Sequence, residues 1–319
     1  MKLLRYESNG FAHVGIFRHG KVMSIPTNKS VLEILNLPRK DRDELELQAG
    51  RNHVIDIDKV KLLPPVEPRV LRDFVTFEGH IAGMKKSEPG DGSVPESWYE
   101  TPVSLLINPY TVKASGEPIP VPPLTQAMDY ELEVAVILRK PAVDVTPEEA
   151  KDLIAGYCIL NDWSARDIQS REMLVGLGPS KGKDFATSLG PWITTPDELE
   201  PYRDGDRYDL PMSVSVNGTV MGEYNLKFMS WSFEELISHS SRGSYVGAGD
   251  VLASGTAHGG SLAEHWAKAK SRENPRPLHA GDVVTMTVEG LGTLWNPIVP
   301  TVSPGHTIPR ARRTVSEGH

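Results

Sequence analysis

One cysteine in 319 residues excludes a disulfide framework within the chain and a cysteine-rich zinc site. That residue, Cys158, sits in the apolar run Ile154-Ala155-Gly156-Tyr157-Cys158-Ile159-Leu160, where a small core side chain is expected rather than a reactive thiol. No stretch approaches the roughly 20 apolar residues needed to cross a bilayer. Met1-Lys2-Leu3-Leu4-Arg5-Tyr6-Glu7 lacks the apolar core of a secretory leader. A reducing, cytoplasmic setting is therefore expected. Positive charge is in deficit, with 34 Lys and Arg against 42 Asp and Glu and a formal net charge of −8. That balance argues against nucleic acid or an anionic membrane as a partner. Internal repeats and low-complexity tracts are lacking too.

Proline (26) and glycine (28) are plentiful, and they gather between short apolar runs, so loops should be many and sharply turned. Residues 1–65 read as a small strand-rich domain. Its β-type runs 3–6, 13–17 and 21–25 are separated by the turn signals Asn9-Gly10 and His19-Gly20, and a short helix is expected at 30–35. The prolines of 62–68 forbid a helix interior or a central strand and mark a linker. The body, 66–302, should hold strands at 131–138, 213–216, 251–253 and 283–288. A helix is expected at 147–153, with Thr146 as N-cap and Glu149 closing a capping box. Further helices are expected at 233–238 and 261–269, and Asn217-Gly218 marks a hairpin. The remainder, 303–319, has no apolar period and is expected to be a mobile tail.

Asp129-Tyr130-Glu131-Leu132-Glu133 runs straight into Val134-Ala135-Val136-Ile137-Leu138. Strand alternation puts Asp129, Glu131 and Glu133 on one face, and Tyr130, Leu132, Val134 and Val136 on the other. Carboxylates stacked about 7 Å apart on a strand apolar enough to be central repel one another unless a cation neutralises them. All-oxygen ligands suit Mg²⁺, Ca²⁺ or Mn²⁺ rather than zinc or copper. The same string also suits the solvated face of an edge strand. A second segment favours the cation: Asn161-Asp162 follows the apolar run ending at Leu160, so Asp162 stands at the end of a buried strand, where sites are often built.

Four segments, in order, resemble the fumarylacetoacetate hydrolase family: 129–133, Gly156 through Asn161-Asp162-Trp163-Ser164-Ala165-Arg166-Asp167-Ile168-Gln169, Leu177-Gly178-Pro179-Ser180-Lys181-Gly182-Lys183-Asp184-Phe185, and Ser254-Gly255-Thr256. The likeness covers 66–302. It implies an α+β, mostly β fold, with a mixed β-sandwich roll behind the small N-terminal domain, and a homodimer. It also implies a metal held by Glu131, Glu133 and Asp162, with Asp73 as a fourth ligand and Thr187 nearby. By the same likeness His80 corresponds to the general base, Glu264 to its orienting glutamate, Lys183 to an active-site lysine, and Gln169 and Thr256 to substrate contacts. Two family tyrosines that contact substrate are replaced by Val75 and Met173. The substrate-binding arginine lacks a clear counterpart, with Lys85 and Lys86 only nearby.

These residues suit a small β-diketone or 2-keto acid, whose two oxygens chelate one cation. A Glu-held imidazole can activate water for carbon–carbon cleavage, with Lys183 and Gln169 as donors to negative oxygens. The expected function is metal-dependent hydrolysis of a C–C bond in an acylpyruvate-like or other 1,3-dicarbonyl compound. The same site also suits a decarboxylase, hydratase or isomerase, and a non-catalytic metal- or ligand-binding protein on this fold is the alternative of another class. Lys183 does not belong to a P-loop, since Leu177 and Asp184 stand where that motif needs Gly and Ser or Thr. Arg166 and Asp167 are expected to form a structural ion pair, and His258 and His265 are given no role.

Overall fold

The computed structural model describes residues 1–51, 53–85, 93–306 and 308–311. Short β-type runs form strands wherever two-residue turns return them on themselves. Asn9-Gly10, His19-Gly20 and Asn217-Gly218 all have positive φ at both residues, the geometry that matches strand twist in a tight hairpin. The first two turns join strands Lys2–Ser8, Phe11–Arg18 and Lys21–Ser24. The third joins Pro211–Val216 to Thr219–Asn225.

Among the described residues, the larger sheet has twelve strands. Its main path runs Val54–Asp56, Lys21–Ser24, Phe11–Arg18, Lys2–Ser8, Thr187–Thr194, Ile154–Asp162, Leu132–Leu138, Val251–Ala253, Leu71–Phe74, Ser104–Ile107. The N-terminal strands thus continue directly into the sheet of the body, through Lys2 opposite Thr194 and Leu3 opposite Ile193. Most neighbours are antiparallel, but Val251–Ala253 and Leu71–Phe74 run parallel. A second sheet of five strands has the order Thr219–Asn225, Pro211–Val216, Val283–Val288, Gly292–Val299, Ile119–Pro120. The fold is α+β and mostly β, as expected.

Strand Leu132–Leu138 is buried along its whole length, and its two faces enter different cores. Leu132, Val134, Val136 and Leu138 pack with residues of the second sheet such as Met212, Val284 and Leu294. Ala135 and Ile137 pack with Leu3, Ile34 and Leu35 of the N-terminal segment. Cys158 and Leu160 share that second core, and burial pushes the Cys158 thiol far above its ordinary value, as befits a core side chain.

Among the described residues, three helices start at capping boxes, of which the one at Thr146 was expected. Ser30, Thr146 and Ser232 each close a capping box, opening Val31–Leu35, Pro147–Ala150 and Phe233–Ser241. After Ala150 the chain tightens into a 3₁₀ turn, Lys151–Leu153. Leu262–Ala269 lies where a helix was expected. Among the described residues, five α-helices were not anticipated: Arg39–Ala49, Glu78–Lys85, Glu96–Glu100, Arg166–Met173 and Pro196–Leu199. The first buries only Ala49, so its sequence carries almost no apolar period. The expected tail at 303–319 falls partly outside the described residues, while 303–306 are exposed and carry neither helix nor strand.

Candidate metal centre and active site

The site forms where one face of the main sheet changes from apolar to acidic. On that face each central strand carries core residues and then a polar group at its end: Leu71 then Asp73, Ala135 then Glu133, Leu160 then Asp162, Leu189 then Thr187. Strand register brings the ends together. Glu133 lies opposite Leu160, Asp162 opposite Thr187, and Asp73 opposite Ala253, which itself faces Ala135. The two alanines leave room for the Asp73 carboxylate to reach across the sheet. One carboxylate oxygen from each of Asp73, Glu131 and Glu133 lies within 4.8 Å of the other two, and all three residues are buried. Asp162 joins them through Lys183, whose Nζ bonds Asp162 Oδ2 at 2.5 Å and also Glu131 Oε2.

The alternation expected from 129 to 133 holds for Glu131 and Glu133 but fails at Asp129. Tyr130 and Glu131 interrupt the strand, and Met128–Asp129 pairs instead with Ser164–Ala165. Asp129 turns to the start of helix Leu262–Ala269, accepting from the amides of Leu262 (2.7 Å) and Ala263 (3.0 Å), which lack partners within the helix. Arg166 and Asp167 do not pair with each other. Arg166 donates to Asp129 Oδ2 (2.8 Å), to Glu131 Oε1 (2.6 Å) and to Gln169 Oε1 (3.0 Å). Asp167 accepts from Thr125 Oγ1 and the Gln126 amide. Arg166 therefore orients a site carboxylate, a role hidden in sequence because its partners lie about 35 residues upstream.

Among the described residues, five buried carboxylates (Asp73, Asp129, Glu131, Glu133, Asp162) meet two buried cations, Lys183 and Arg166, leaving three negative charges in excess. Titration follows from that imbalance. Burial, with Asp73, Glu131 and Asp162 close by, pushes Glu133 well above the usual carboxylate range. Burial raises Asp73 to about 6, against the pull of Lys183. Asp162 rises as well, chiefly through burial. Glu131 is the exception: burial would raise it, but Arg166 and Lys183 hold it far below the usual range. Burial alone would lower Lys183, yet Asp162 and Glu131 carry it above its ordinary value.

A hard divalent cation fits this donor set. Asp73 Oδ1, Glu133 Oε2, Asp162 Oδ1 and Thr187 Oγ1 are buried oxygens without a hydrogen-bond partner, and buried polar atoms in that state are rare. All are oxygens, and their surplus charge is negative, which suits Mg²⁺, Mn²⁺ or Ca²⁺ and offers neither nitrogen nor sulfur to a softer metal. Thr256 Oγ1 reaches Glu133 Oε1 at 3.4 Å.

Next to the carboxylates lies a second constellation. Helix Glu78–Lys85 follows strand Leu71–Phe74 and packs against Leu262–Ala269. Between them His80 Nδ1 and Glu264 Oε1 are 2.6 Å apart, both side chains buried. The charge of His80 acts on Glu131, so the pair adjoins the cluster. Gly79 and Gly83 make this approach possible: a Cβ at Gly83 would lie 2.6 Å from Glu264 Oε2, and one at Gly79 2.9 Å from His258 Cγ. His258, given no role from sequence, brings Nδ1 within 2.7 Å of Glu264 Oε2. His265 turns away to the Met221 carbonyl. Gln169 lies on helix Arg166–Met173, whose last residue, Met173, is more than half exposed. Lys85 ends helix Glu78–Lys85, and Lys86 lies outside the described residues.

Residues 69–299 match the family model described as fumarylacetoacetate (FAA) hydrolase C-terminal. The chain belongs to the fumarylacetoacetate hydrolase family. Within this family it is 31% identical over 279 residues to the mitochondrial oxaloacetate tautomerase fahd2 of Xenopus laevis, covering 83% of this chain and 80% of that one. It is 28% identical over 287 residues to the fumarylacetoacetase fahA of Aspergillus fumigatus, where the match spans 78% of this chain but 63% of the relative. The match thus spans between 54% and 66% of the length of these fumarylacetoacetases. Among solved structures, the fumarylacetoacetate hydrolase of psychrophilic Exiguobacterium antarcticum superposes with a TM-score of 0.72 at 27% identity, covering 94% of this chain and 99% of that one. No helix among the described residues is long and apolar enough to cross a membrane.

Proposed function

We propose that this chain is a divalent-metal-dependent hydrolase that cleaves a carbon–carbon bond in an acylpyruvate-like or other 1,3-dicarbonyl compound. Asp73, Glu131, Glu133 and Asp162 would hold the metal, with Mg²⁺ the first choice and Ca²⁺ or Mn²⁺ in its place. The observation that carries the reading is the buried His80–Glu264 pair, 2.6 Å apart, beside the carboxylate cluster. Bound there, the cation would supply Lewis-acid polarisation of the substrate carbonyls.

The rest falls to side chains. An ionised carboxylate only accepts, so Glu264 fixes the proton of His80 on Nδ1 and leaves the Nε2 lone pair as the base. Nε2 takes a proton from water, and the water oxygen adds to the carbonyl carbon. The bond from that carbon to its neighbour then breaks, with its electron pair leaving on the departing carbon, which regains a proton from His80. Lys183 carries the positive charge that stabilises negative oxygens. Arg166 claims Gln169 Oε1, so the Gln169 amide nitrogen is the atom left to donate to substrate. Thr256 stands beside Glu133 as a further substrate contact.

The test is a screen of acylpyruvates with Mg²⁺, following loss of enolised-diketone absorbance and release of the acid product. Wild-type protein should cleave, whereas His80→Ala should bind metal with unchanged affinity and lose at least about 100-fold in kcat. Absence of cleavage at any metal concentration would refute the reading. A second reading, tautomerisation of oxaloacetate, is favoured by the relatives that align over most of both chains, two of which carry that name. It predicts enol–keto interconversion with no bond cleaved, so product analysis separates the two. We also propose a cytoplasmic homodimer, to be checked by sedimentation; the lone buried Cys158 suits a reducing compartment.

A further inference from the structure

Glu264 has two carboxylate oxygens, and a different imidazole stands at each. Oε1 is 2.6 Å from His80 Nδ1 and accepts from the Gly259 amide at 3.0 Å. Oε2 is buried and lacks an aligned hydrogen-bond donor, but His258 Nδ1 lies 2.7 Å from it, off the line of a hydrogen bond. The two histidines differ in access: the side chain of His80 is 9% exposed and that of His258 46% exposed. His258 is itself fixed from two sides, by the Tyr224 ring standing edge-on at 5.6 Å and by Gly79, which leaves it room against the helix bearing His80.

We propose that His258 is a positioning residue for the catalytic base, which holds the second oxygen of Glu264 and thereby sets how strongly Glu264 retains the proton of His80. The inference rests on the His80–Glu264 reading above and deepens it. A small rotation of the His258 ring turns the 2.7 Å approach into an N–H donation, and an oxygen that accepts from His258 bears less charge toward His80. Tyr224 and Tyr130 both feel the charge of Glu264, Glu78 acts on Tyr224, and Glu131 faces His80. Because His258 reaches solvent, it can also exchange protons with bulk water.

The test compares His258→Phe, which keeps a ring but loses the donor, with His258→Asn, whose side-chain nitrogen takes the place of Nδ1. Two readouts are followed across pH in the full-length protein: the imidazole resonances of His80 by NMR, and the acid limb of the rate profile for whichever substrate wild-type protein turns over. In His258→Phe, Glu264 holds the imidazolium more tightly, so the His80 titration and the acid limb should both move up by about one unit. Rates on that limb then fall about tenfold while KM stays near wild type. His258→Asn should restore both. A His80 titration unmoved by the Phe substitution, or moved equally by Phe and Asn, would overturn the inference. Should the Phe variant fail to fold by circular dichroism, His258→Gln, whose amide nitrogen lies nearer the position of Nε2, replaces it with the same expectations. The NMR arm needs no substrate, so failure of the hydrolase reading leaves it decisive. An active wild-type enzyme whose limb ignores His258 would sink the positioning role alone.

Discussion

Replacing Asp73 with asparagine should change stability in opposite directions depending on metal. With the protein chelated, Asp73 is a buried carboxylate, 4% exposed, whose titration burial raises from 3.8 to about 6. A raised carboxylate means that the folded state binds its proton more tightly than the unfolded state. The folded state therefore loses stability as pH climbs from about 4 through 6, and the cost is fully present at pH 7. That rise corresponds to about 3 kcal/mol. With about 2.1 cal/mol/K of unfolding entropy per residue, 319 residues give about 0.7 kcal/mol/K, so Asp73→Asn should raise the Tm of chelated protein by about 4 °C at pH 7. Lowering the pH toward 5 should stabilise the chelated wild type and close that gap. Metal reverses the order. At a hundredfold excess of Mg²⁺ over its Kd the wild type gains about 2.7 kcal/mol, again about 4 °C, whereas the variant has lost a ligand and gains much less. Differential scanning calorimetry with EDTA and with Mg²⁺, at pH 5 and pH 7, reads all four combinations. A variant less stable than wild type in EDTA at pH 7, or a wild type indifferent to chelation, would show that the carboxylates are not an electrostatically loaded metal site.

Arg166→Leu should cost about 3–5 kcal/mol in urea denaturation, because it strips the shared cation from the buried carboxylates Asp129 and Glu131. Supplying Mg²⁺ should recover only the part due to Glu131, since Asp129 lies outside the cluster. Gly83→Ala places a Cβ 2.6 Å from Glu264 Oε2, so the carboxylate must shift away from its position against His80. The variant should bind metal as wild type does by calorimetry and lose about 10–100-fold in kcat; unchanged turnover would mean that Glu264 does not hold His80 during the reaction.

Much of the fold was legible because its signals are local. Two-residue turns with Asn or His before Gly, and the capping box at Thr146, act within four residues, and each element they mark is present. Strand Thr187–Thr194 was not legible, since Gly190 and Pro191 at its middle read as a break. The sheet accommodates them with a register shift between Tyr157 and Ile159 on the neighbouring strand, opposite the place where Pro191 cannot donate. Helix Arg39–Ala49 was silent for the opposite reason, having almost no buried face to generate a period.

The site divides along the same line between local pattern and long-range register. Strand alternation alone pairs Glu131 with Glu133, but it applies equally to Asp129, and only the tertiary structure shows that the chain breaks at Tyr130 and spends Asp129 on a helix terminus. Asp73, Asp162 and Lys183 come from three further segments, and their approach depends on strand order, which has no signature within any one of them. The resemblance to a family supplied those positions where periodicity could not. It supplied neither Arg166 as the partner of Glu131 nor His258 as the second imidazole on Glu264. Both become visible only when each buried carboxylate oxygen is asked for its partner, and that accounting turns a set of acidic residues into a charge-loaded centre beside a Glu264 carboxylate that meets an imidazole at each oxygen.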